Sequence, residues 1–322
     1  MDFVTTLSGN ESIAITIGNF DGIHRGHQRL LHELGGVAQS LHCKPVIVTF
    51  SPHPLLVVRP NIQLECLTTL EEKLALAKRY GGVTDSIVIH FTPEVAALSA
   101  NAFLDELREQ FDIQALVIGS DFRLGHNRMG DVPFLRRYGQ EHAIQVLPIE
   151  LEEAEQARIS STRIRSLVSE GRISEANELL GHPVVVSGTV IRGDQRGRLL
   201  GFPTANLLPE PHKLLPANGV YAAYVTIEQA VESDATDQLA VSYTQKVWNS
   251  AVNIGVRPTF GEQQRLVEAH LLDVQLDLYD KRITIDFIAR LRNEQRFNGI
   301  DALKAQIAVD AQQARLLLQK GG

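Results

Sequence analysis

Only two cysteines, Cys43 and Cys66, occur in 322 residues, and they form no Cys-x-x-Cys pair. A disulfide framework and a cysteine-ligated zinc site are not indicated, and a reducing compartment is expected. Basic residues are in deficit too: 31 Lys and Arg face 38 Asp and Glu, a formal net charge of −7. General binders of nucleic acid or anionic membrane are usually basic, so neither partner is expected. Any anion site must be built locally. No apolar run is long enough to span a bilayer, and Met1 leads into acidic and polar residues without a basic-plus-apolar leader. The cytoplasm is the expected location. Internal repeats and low-complexity tracts are missing as well. What remains is an ordinary composition, 44% hydrophobic and 21% charged, in a length that suits about two domains.

The first half alternates strand-like and helix-like patterns. Apolar runs at 13–17, 46–50, 87–91, 115–118 and 144–149 predict strands, and helices are expected near 27–41, 69–80, 100–111 and 132–138. That alternation predicts a parallel sheet of Rossmann-like α/β type, with ligands at the carboxyl ends of the strands. Residues 160–171 and 173–180 predict two short helices that close this domain. Gly181-His182-Pro183 punctuates the chain, giving domains 1–182 and 183–322. Beyond it, short β-rich runs at 184–190, 220–227, 247–254, 266–276 and 283–288 predict an antiparallel barrel or sandwich. Residues 228–245 are polar and predict a hairpin loop, and 301–318 predict a terminal helix packed on the barrel.

The densest motif is Gly18-Asn19-Phe20-Asp21-Gly22-Ile23-His24-Arg25-Gly26-His27. It follows a strand and begins a helix. A helix start carries unpaired N–H groups and a positive dipole end, so it attracts phosphate. Imidazoles placed there can donate to an oxyanion, and Gly26 lets a phosphate approach the backbone. Two histidines at this spacing could also be metal ligands, but no carboxylate or cysteine in the motif completes a coordination sphere.

This stretch resembles the phosphate-binding signature of the His-x-Gly-His nucleotidyltransferases. In its longer form it is similar to the amino-terminal module of the bacterial bifunctional riboflavin kinase/FMN adenylyltransferases, the FAD synthetases. Three further stretches carry the resemblance. Thr49-Phe50-Ser51-Pro52-His53-Pro54 matches the family's Thr-Phe-x-Pro-His-Pro loop, with Ser51 where the family often has an acidic residue. Gly119-Ser120-Asp121-Phe122-Arg123-Leu124-Gly125 matches a loop that lines the flavin and nucleotide pocket, with Leu124 in place of a usual phenylalanine. Ile159-Ser160-Ser161-Thr162-Arg163-Ile164-Arg165 is by itself a good helix N-cap. In the superfamily it clamps the departing phosphates, which implies Ser161 and Thr162 and leaves Arg158, Arg163 and Arg165 as alternatives for the arginine. The resemblance assigns Gly18, Asn19, Phe20, Asp21, Gly26, Ser161, Thr162 and Arg163 to nucleotide and phosphate. It assigns Pro52, His53, Asp121, Phe122 and Arg123 to flavin, and His24 and His27 to catalysis.

In the second half, Gly193-Asp194-Gln195-Arg196-Gly197-Arg198-Leu199-Leu200-Gly201 precedes Phe202-Pro203-Thr204-Ala205-Asn206. Glycines and arginines make a flexible, anion-attracting loop, without the Gly-Lys-Ser/Thr of a Walker loop. Thr204 and Asn206 alternate on a strand-like segment and offer neutral oxygens suited to Mg²⁺ held mainly by nucleotide phosphates. Alone, the motif reads first as a β-turn with a bonded Asn. Together with Asn253-Ile254-Gly255-Val256-Arg257-Pro258-Thr259-Phe260 and Glu268-Ala269-His270-Leu271-Leu272-Asp273, it resembles riboflavin kinase. That resemblance makes Glu268 a general base toward the ribityl 5′-hydroxyl. It gives Gly193, Arg198 and Gly201 to nucleotide, Thr204 and Asn206 to Mg²⁺, and Arg292, beside Phe297, to flavin or nucleotide. Leu278-Tyr279-Asp280 departs from a usual Leu-Tyr-Gly and implies an altered turn.

The expected function is phosphorylation of riboflavin to FMN with ATP, then adenylylation of FMN to FAD with release of pyrophosphate. ATP is co-substrate, Mg²⁺ the ion, FMN and FAD substrate and product. The implied partners are these small molecules, and the oligomeric state stays open. One live site with the other domain as a scaffold, or a flavin-sensing protein without turnover, are the rival readings.

Overall fold

The structure is a computed structural model that describes all residues except 10, 151–152, 155–156, 194–200, 232–241, 260–261 and 320–322. The chain packs as two compact units, Met1–Ser161 and Thr162–Gly322.

The first unit runs β1 (Phe3–Thr5), β2 (Ser12–Ile17), α1 (Arg25–Ser40), β3 (Lys44–Ser51), α2 (Pro54–Val58), α3 (Leu70–Gly81) and β4 (Asp85–His90). It continues with α4 (Pro93–Ala97), α5 (Ala100–Gln110), β5 (Asp112–Gly119), α6 (Val132–Glu141), β6 (Gln145–Ile149), β7 (Glu153–Ala154) and β8 (Ala157–Arg158). β1 to β6 form one sheet in the order β1-β4-β3-β2-β5-β6. β4, β3, β2, β5 and β6 are mutually parallel, whereas β1 adds antiparallel to β4. The expected parallel sheet is extended at one edge by β1, a three-residue strand too short to show a hydrophobic period.

Alternation along the strands explains the layering. Ile13, Ile15, Ile17, Val46, Val48, Ile87 and Ile89 join Phe103, Leu104 and Leu107 of α5 in one apolar cluster. α1 packs on β2, β3 and β5 and meets α3, burying Leu30, Leu31, Leu34 and Ala38. Helix starts follow their caps: Thr69 and Glu72 form a reciprocal capping box, and Ser99 and Asp131 cap α5 and α6. The strand order reverses direction at β2, between β3 and β5, so their carboxyl ends make the crevice where an open α/β sheet takes its ligand.

Helix α7 (Ser161–Glu170) begins at the last residue of the first unit, and α8 (Ile173–Leu180) follows. α8 packs on the second unit: Asn177 donates from Nδ2 to Phe287 O at 2.8 Å and accepts from Val184 N at 2.8 Å. Packing thus divides the chain about twenty residues before the Gly-His-Pro punctuation.

The second unit is a closed antiparallel barrel in the order β10-β13-β12-β11-β14-β9. Its strands are β9 (Val184–Ile191), β10 (Ala205–Leu207), β11 (Gly219–Val231), β12 (Ser242–Thr259), β13 (Glu262–Leu271) and β14 (Arg282–Asn293). Val186, Val225, Val252, Ile254, Val267, Ile285 and Phe287 are fully buried. Helix α9 (Ile300–Leu318) lays Ala311, Ala314 and Leu318 against Ala222, Ala251 and Leu272.

Two sequence expectations change here. The hairpin strands β11 and β12 pair through Val231 and Ser242, well into the stretch expected to be loop. Backbone hydrogen bonds carry a ladder past the apolar segment, so side-chain polarity underestimates its length. β13 ends at Leu271 rather than Leu276, because Asp273 turns the chain with φ of 61°.

Candidate active sites

At the end of β2 the chain enters a tight loop. Phe20 (φ 49°), Gly22 (φ 86°) and Ile23 (φ 40°) all adopt left-handed backbone, which is costly for Phe and Ile. Side-chain clamps hold it. Buried Asp21 accepts from Thr68 N at 3.0 Å, Thr68 Oγ1 at 3.2 Å and Leu67 N at 3.1 Å. Thr68 Oγ1 in turn accepts from Gly22 N at 3.1 Å, and Ser161 Oγ donates to Asp21 O at 2.9 Å. Asp21, expected from the resemblance at the nucleotide, is therefore bonded to the loop's own scaffold. Ser161 joins it there.

His24 is the N-cap of α1, with extended backbone (ψ 169°), and its Nδ1 accepts from His27 N at 3.3 Å. An accepting Nδ1 places the proton of the neutral ring on Nε2. The two imidazoles stack at 3.6 Å between centroids and 15° between planes, with Phe20 edge-on to His27 at 5.2 Å. Gly26 makes this possible: a methyl group there would sit 3.3 Å from the His24 ring. Its missing side chain thus serves the imidazole. Gly18 does the same for Phe20, whose ring a methyl would meet at 3.1 Å. His27 Nδ1 is buried without a hydrogen-bond partner among the described residues. Burial, then the neighbouring His24 and Lys73, hold the His27 pKa well below the ordinary imidazole range. The ring is neutral. An orphaned buried nitrogen beside a helix start fits an anionic ligand.

Most of the other residues predicted for adenylyl transfer lie on loops after β3 and β5. His53 caps α2, its Nδ1 accepting from Leu55 N at 3.2 Å, and Pro52 beside it is exposed. Asp121 and Arg123 are exposed, while Phe122 is partly buried against the apolar cluster. Leu124 joins that cluster outright and bridges Gly130, so the family's phenylalanine position is a packing position here. Asn19 is exposed. Thr162 and Arg163 are exposed on the first turn of α7, counted with the second unit.

The barrel builds its site by register. Asn206 of β10 lies directly opposite Glu268 of β13, and Glu268 opposite Asn253 of β12. Cross-strand partners share a face, so these three form one polar row. Val267 and Ala269, on either side of Glu268, are fully buried, which sets the row on the other face of the sheet. Asn253 Nδ2 donates to Glu268 Oε2 at 3.4 Å. Asn206 is buried against Gly193, where a methyl group would come within 2.5 Å of its amide. Val220 of β11 pairs with Asn253 on one side and with Arg292 of β14 on the other, which places Arg292 two strands from Asn253. Arg292 is engaged elsewhere: its Nε and Nη2 grip buried Asp310 of α9 at 2.9 and 2.7 Å, and its plane covers Phe297. It anchors the terminal helix. Gly201 is exposed with φ of 86°, and Arg198 lies outside the described residues. Asp280, at the altered Leu-Tyr-Gly turn, has φ of 64°, a conformation glycine would adopt freely.

Some roles escaped the sequence reading. Thr68, outside every motif, and Asn253 and His270, quoted only as parts of motifs, each hold a predicted residue or its loop. His270 Nδ1 donates to Pro203 O at 2.9 Å, and Phe202 meets its ring edge-on at 5.5 Å, fixing the segment just before Thr204. The spacing Glu268-Ala269-His270 puts both polar side chains on one face, the signal that was available.

The fold and the two sites define a chain of two transferase modules, and comparison with known proteins agrees. The FAD synthetase family matches residues 7–163, and the riboflavin kinase family matches residues 180–318. The bifunctional riboflavin kinase/FMN adenylyltransferase of Escherichia coli K12 is 36% identical over 306 residues, covering 95% of this chain and 92% of its own. That of Pseudomonas fluorescens is 36% identical over 309 residues, covering 94% and 92%, and that of Listeria monocytogenes 33% over 309 residues, covering 95% and 92%. A crystal structure described as a macrolide-efflux protein from Streptococcus pneumoniae superposes with a TM-score of 0.80 at 28% identity, over 95% of both chains. This chain belongs to the family of bifunctional riboflavin kinase/FMN adenylyltransferases.

Proposed function

We propose that residues 183–322 transfer the γ-phosphate of ATP to riboflavin, giving FMN. Residues 1–182 then transfer the adenylyl group of a second ATP to FMN, giving FAD and pyrophosphate. The observation that carries this reading is that each family match contains its own assembled polar site, one at the start of α1 and one across β10, β13 and β12.

In adenylyl transfer an FMN phosphate oxygen attacks the α-phosphorus of ATP, and the bond to the β-phosphate oxygen breaks. No protein nucleophile is needed; positioning and charge stabilisation supply the catalysis. His24 Nε2, the His27 ring and the first-turn amides of α1 face the phosphates. Asp21, Thr68 and Ser161 hold their loop. Asn19, Phe20, Gly18 and Gly26 complete the nucleotide side, and Pro52, His53, Asp121, Phe122 and Arg123 the flavin side.

In phosphoryl transfer Glu268 takes the proton of the ribityl 5′-hydroxyl as that oxygen attacks the γ-phosphorus. Asn253 orients the carboxylate. Thr204 and Asn206 offer neutral oxygens, and the close fit of Asn206 against Gly193 leaves its amide fixed, which suits Mg²⁺ held largely by phosphates. When bound, the ion would neutralise phosphate charge. Gly193, Arg198 and Gly201 line the nucleotide approach. Substrates and products are small molecules, and a cytoplasmic setting fits them; among the described residues no helix is long and apolar enough to cross a membrane.

A flavin sensor would need no base, so Glu268 favours turnover. Incubation with riboflavin and MgATP, followed by chromatography, should yield FMN and then FAD. Unconverted riboflavin, together with supplied FMN unconverted to FAD, would overturn the reading.

A further inference from the structure

Beneath the phosphate loop lies an ammonium that the reaction as written does not use. Lys73, in the first turn of α3, is 6% exposed. Its Nζ donates to Thr49 Oγ1 at 3.1 Å, its one hydrogen-bond acceptor among the described residues. Thr49, fully buried at the end of β3, donates to Asn19 O at 3.4 Å. Burial lowers the Lys73 pKa, opposed first by the charge of Asp21, whose oxygens already accept from Leu67 and Thr68, and then by Cys66. Removing an ammonium from water costs several kcal/mol, and one neutral hydroxyl does not offset that. Methionine, of similar length, would fill the same hole as an apolar gap-filler. The position therefore keeps its charge for a reason other than packing.

That reason lies above it. Thr49 joins Lys73 to the backbone of Asn19, and Asp21 and His27 sit within its field. In a poorly screened interior a charge acts across several ångströms. We propose that Lys73 is a positioning residue for adenylyl transfer: anchored on Thr49, it sets the positive field at the start of α1 that holds the triphosphate and stabilises the departing pyrophosphate. This rests on the reading that His24 and His27 face the ATP phosphates. The same field works with burial to keep His27 neutral, alongside His24 on α1 and Asp21 on the loop.

The test compares Lys73→Met, Lys73→Arg, Thr49→Val and His27→Ala in the full chain. The readouts are kcat and KM for FAD formation from FMN and ATP, the riboflavin kinase rate, and the His27 ring titration by NMR. Lys73→Met should lower adenylyl-transfer kcat about a hundredfold, as loss of a fixed electrostatic stabiliser does. Its kinase rate should stay within about twofold, and His27 should titrate at higher pH. Lys73→Arg should recover about tenfold of the loss. Thr49→Val, which keeps the ammonium but frees it, should mainly raise KM for ATP. If Lys73→Met fails to fold, Thr49→Val with unchanged KM overturns the proposal. So does a folded Lys73→Met within about threefold of the parent, or one whose kcat falls while His27 titrates as before. Full adenylyl transfer in His27→Ala would instead overturn the reading of the site itself.

Discussion

On the proposed reading the two sites would handle the same triphosphate with opposite means. The first would meet anionic charge with protein: a helix start and two imidazoles on a loop of strained residues, with a buried ammonium on α3. The second would present neutral oxygens and a carboxylate, Thr204, Asn206, Asn253 and Glu268, and leave charge neutralisation to an ion. The chemistry accounts for the difference. An FMN phosphate attacking ATP brings two anions together and already carries its nucleophile, so the protein supplies cationic surroundings and no base. A hydroxyl attacking ATP must lose a proton, so a carboxylate is required, and cations close to it would lower its basicity.

Breaking each site separately is the sharpest test of that contrast. Glu268→Ala should lower kinase turnover by about 10² to 10⁴, the usual contribution of a general base, and leave FAD formation from supplied FMN intact. Retained kinase turnover defeats the base assignment. His27→Ala should lower adenylyl transfer by about 10² to 10³ and spare the kinase. Equal loss of both activities in either variant would mean that the sites are not independent. Both are read by chromatography of flavins after parallel incubations with riboflavin or FMN.

Much of this contrast was legible in the sequence. The βα alternation, the helix start at His24 and the barrel strands all follow from hydrophobic period and punctuation, which are local signals. The scaffold of each site was not. Thr68 and Lys73 lie over forty residues from Asp21, on another element, and look in sequence like a helix cap and a solvated helix charge. Asn206, Glu268 and Asn253 come together only through strand register, which needs the barrel closed. Arg292, given to a ligand by its motif alone, has a partner that the motif does not show: Asp310 of α9 accepts from its guanidinium. Local pattern reports elements; it does not report which polar groups already have partners.

A smaller effect addresses the loop's rigidity. Thr68→Val keeps the shape and removes the hydroxyl that links Gly22 N to Asp21. A buried donor left without its partner costs about 1–3 kcal/mol. Urea denaturation should show the first unit destabilised by that amount, with adenylyl transfer reduced and the kinase unaffected. An unchanged midpoint would show that the strained loop is held by other contacts.

The smallest effect is a dependence of stability on pH. Burial, then the neighbouring His24 and Lys73, depress the His27 pKa in the folded state below its usual value of 6.5. Below that value the unfolded chain binds a proton that the folded chain does not, so unfolding takes up protons and acid favours it. The stabilisation is present above 6.5 and is lost as pH falls, with a slope of at most about 1.4 kcal/mol per pH unit for one group. Comparing urea denaturation at pH 7.5 and 5.5 should show the first unit weakened at the lower pH. His27→Gln, which cannot titrate, should remove roughly 1 kcal/mol of that difference. The kinase site contains no counterpart to this buried imidazole among its described residues, so Glu268→Ala should leave the same difference intact. A pH dependence that Glu268→Ala flattened and His27→Gln preserved would invert the assignment of cationic and carboxylate sites.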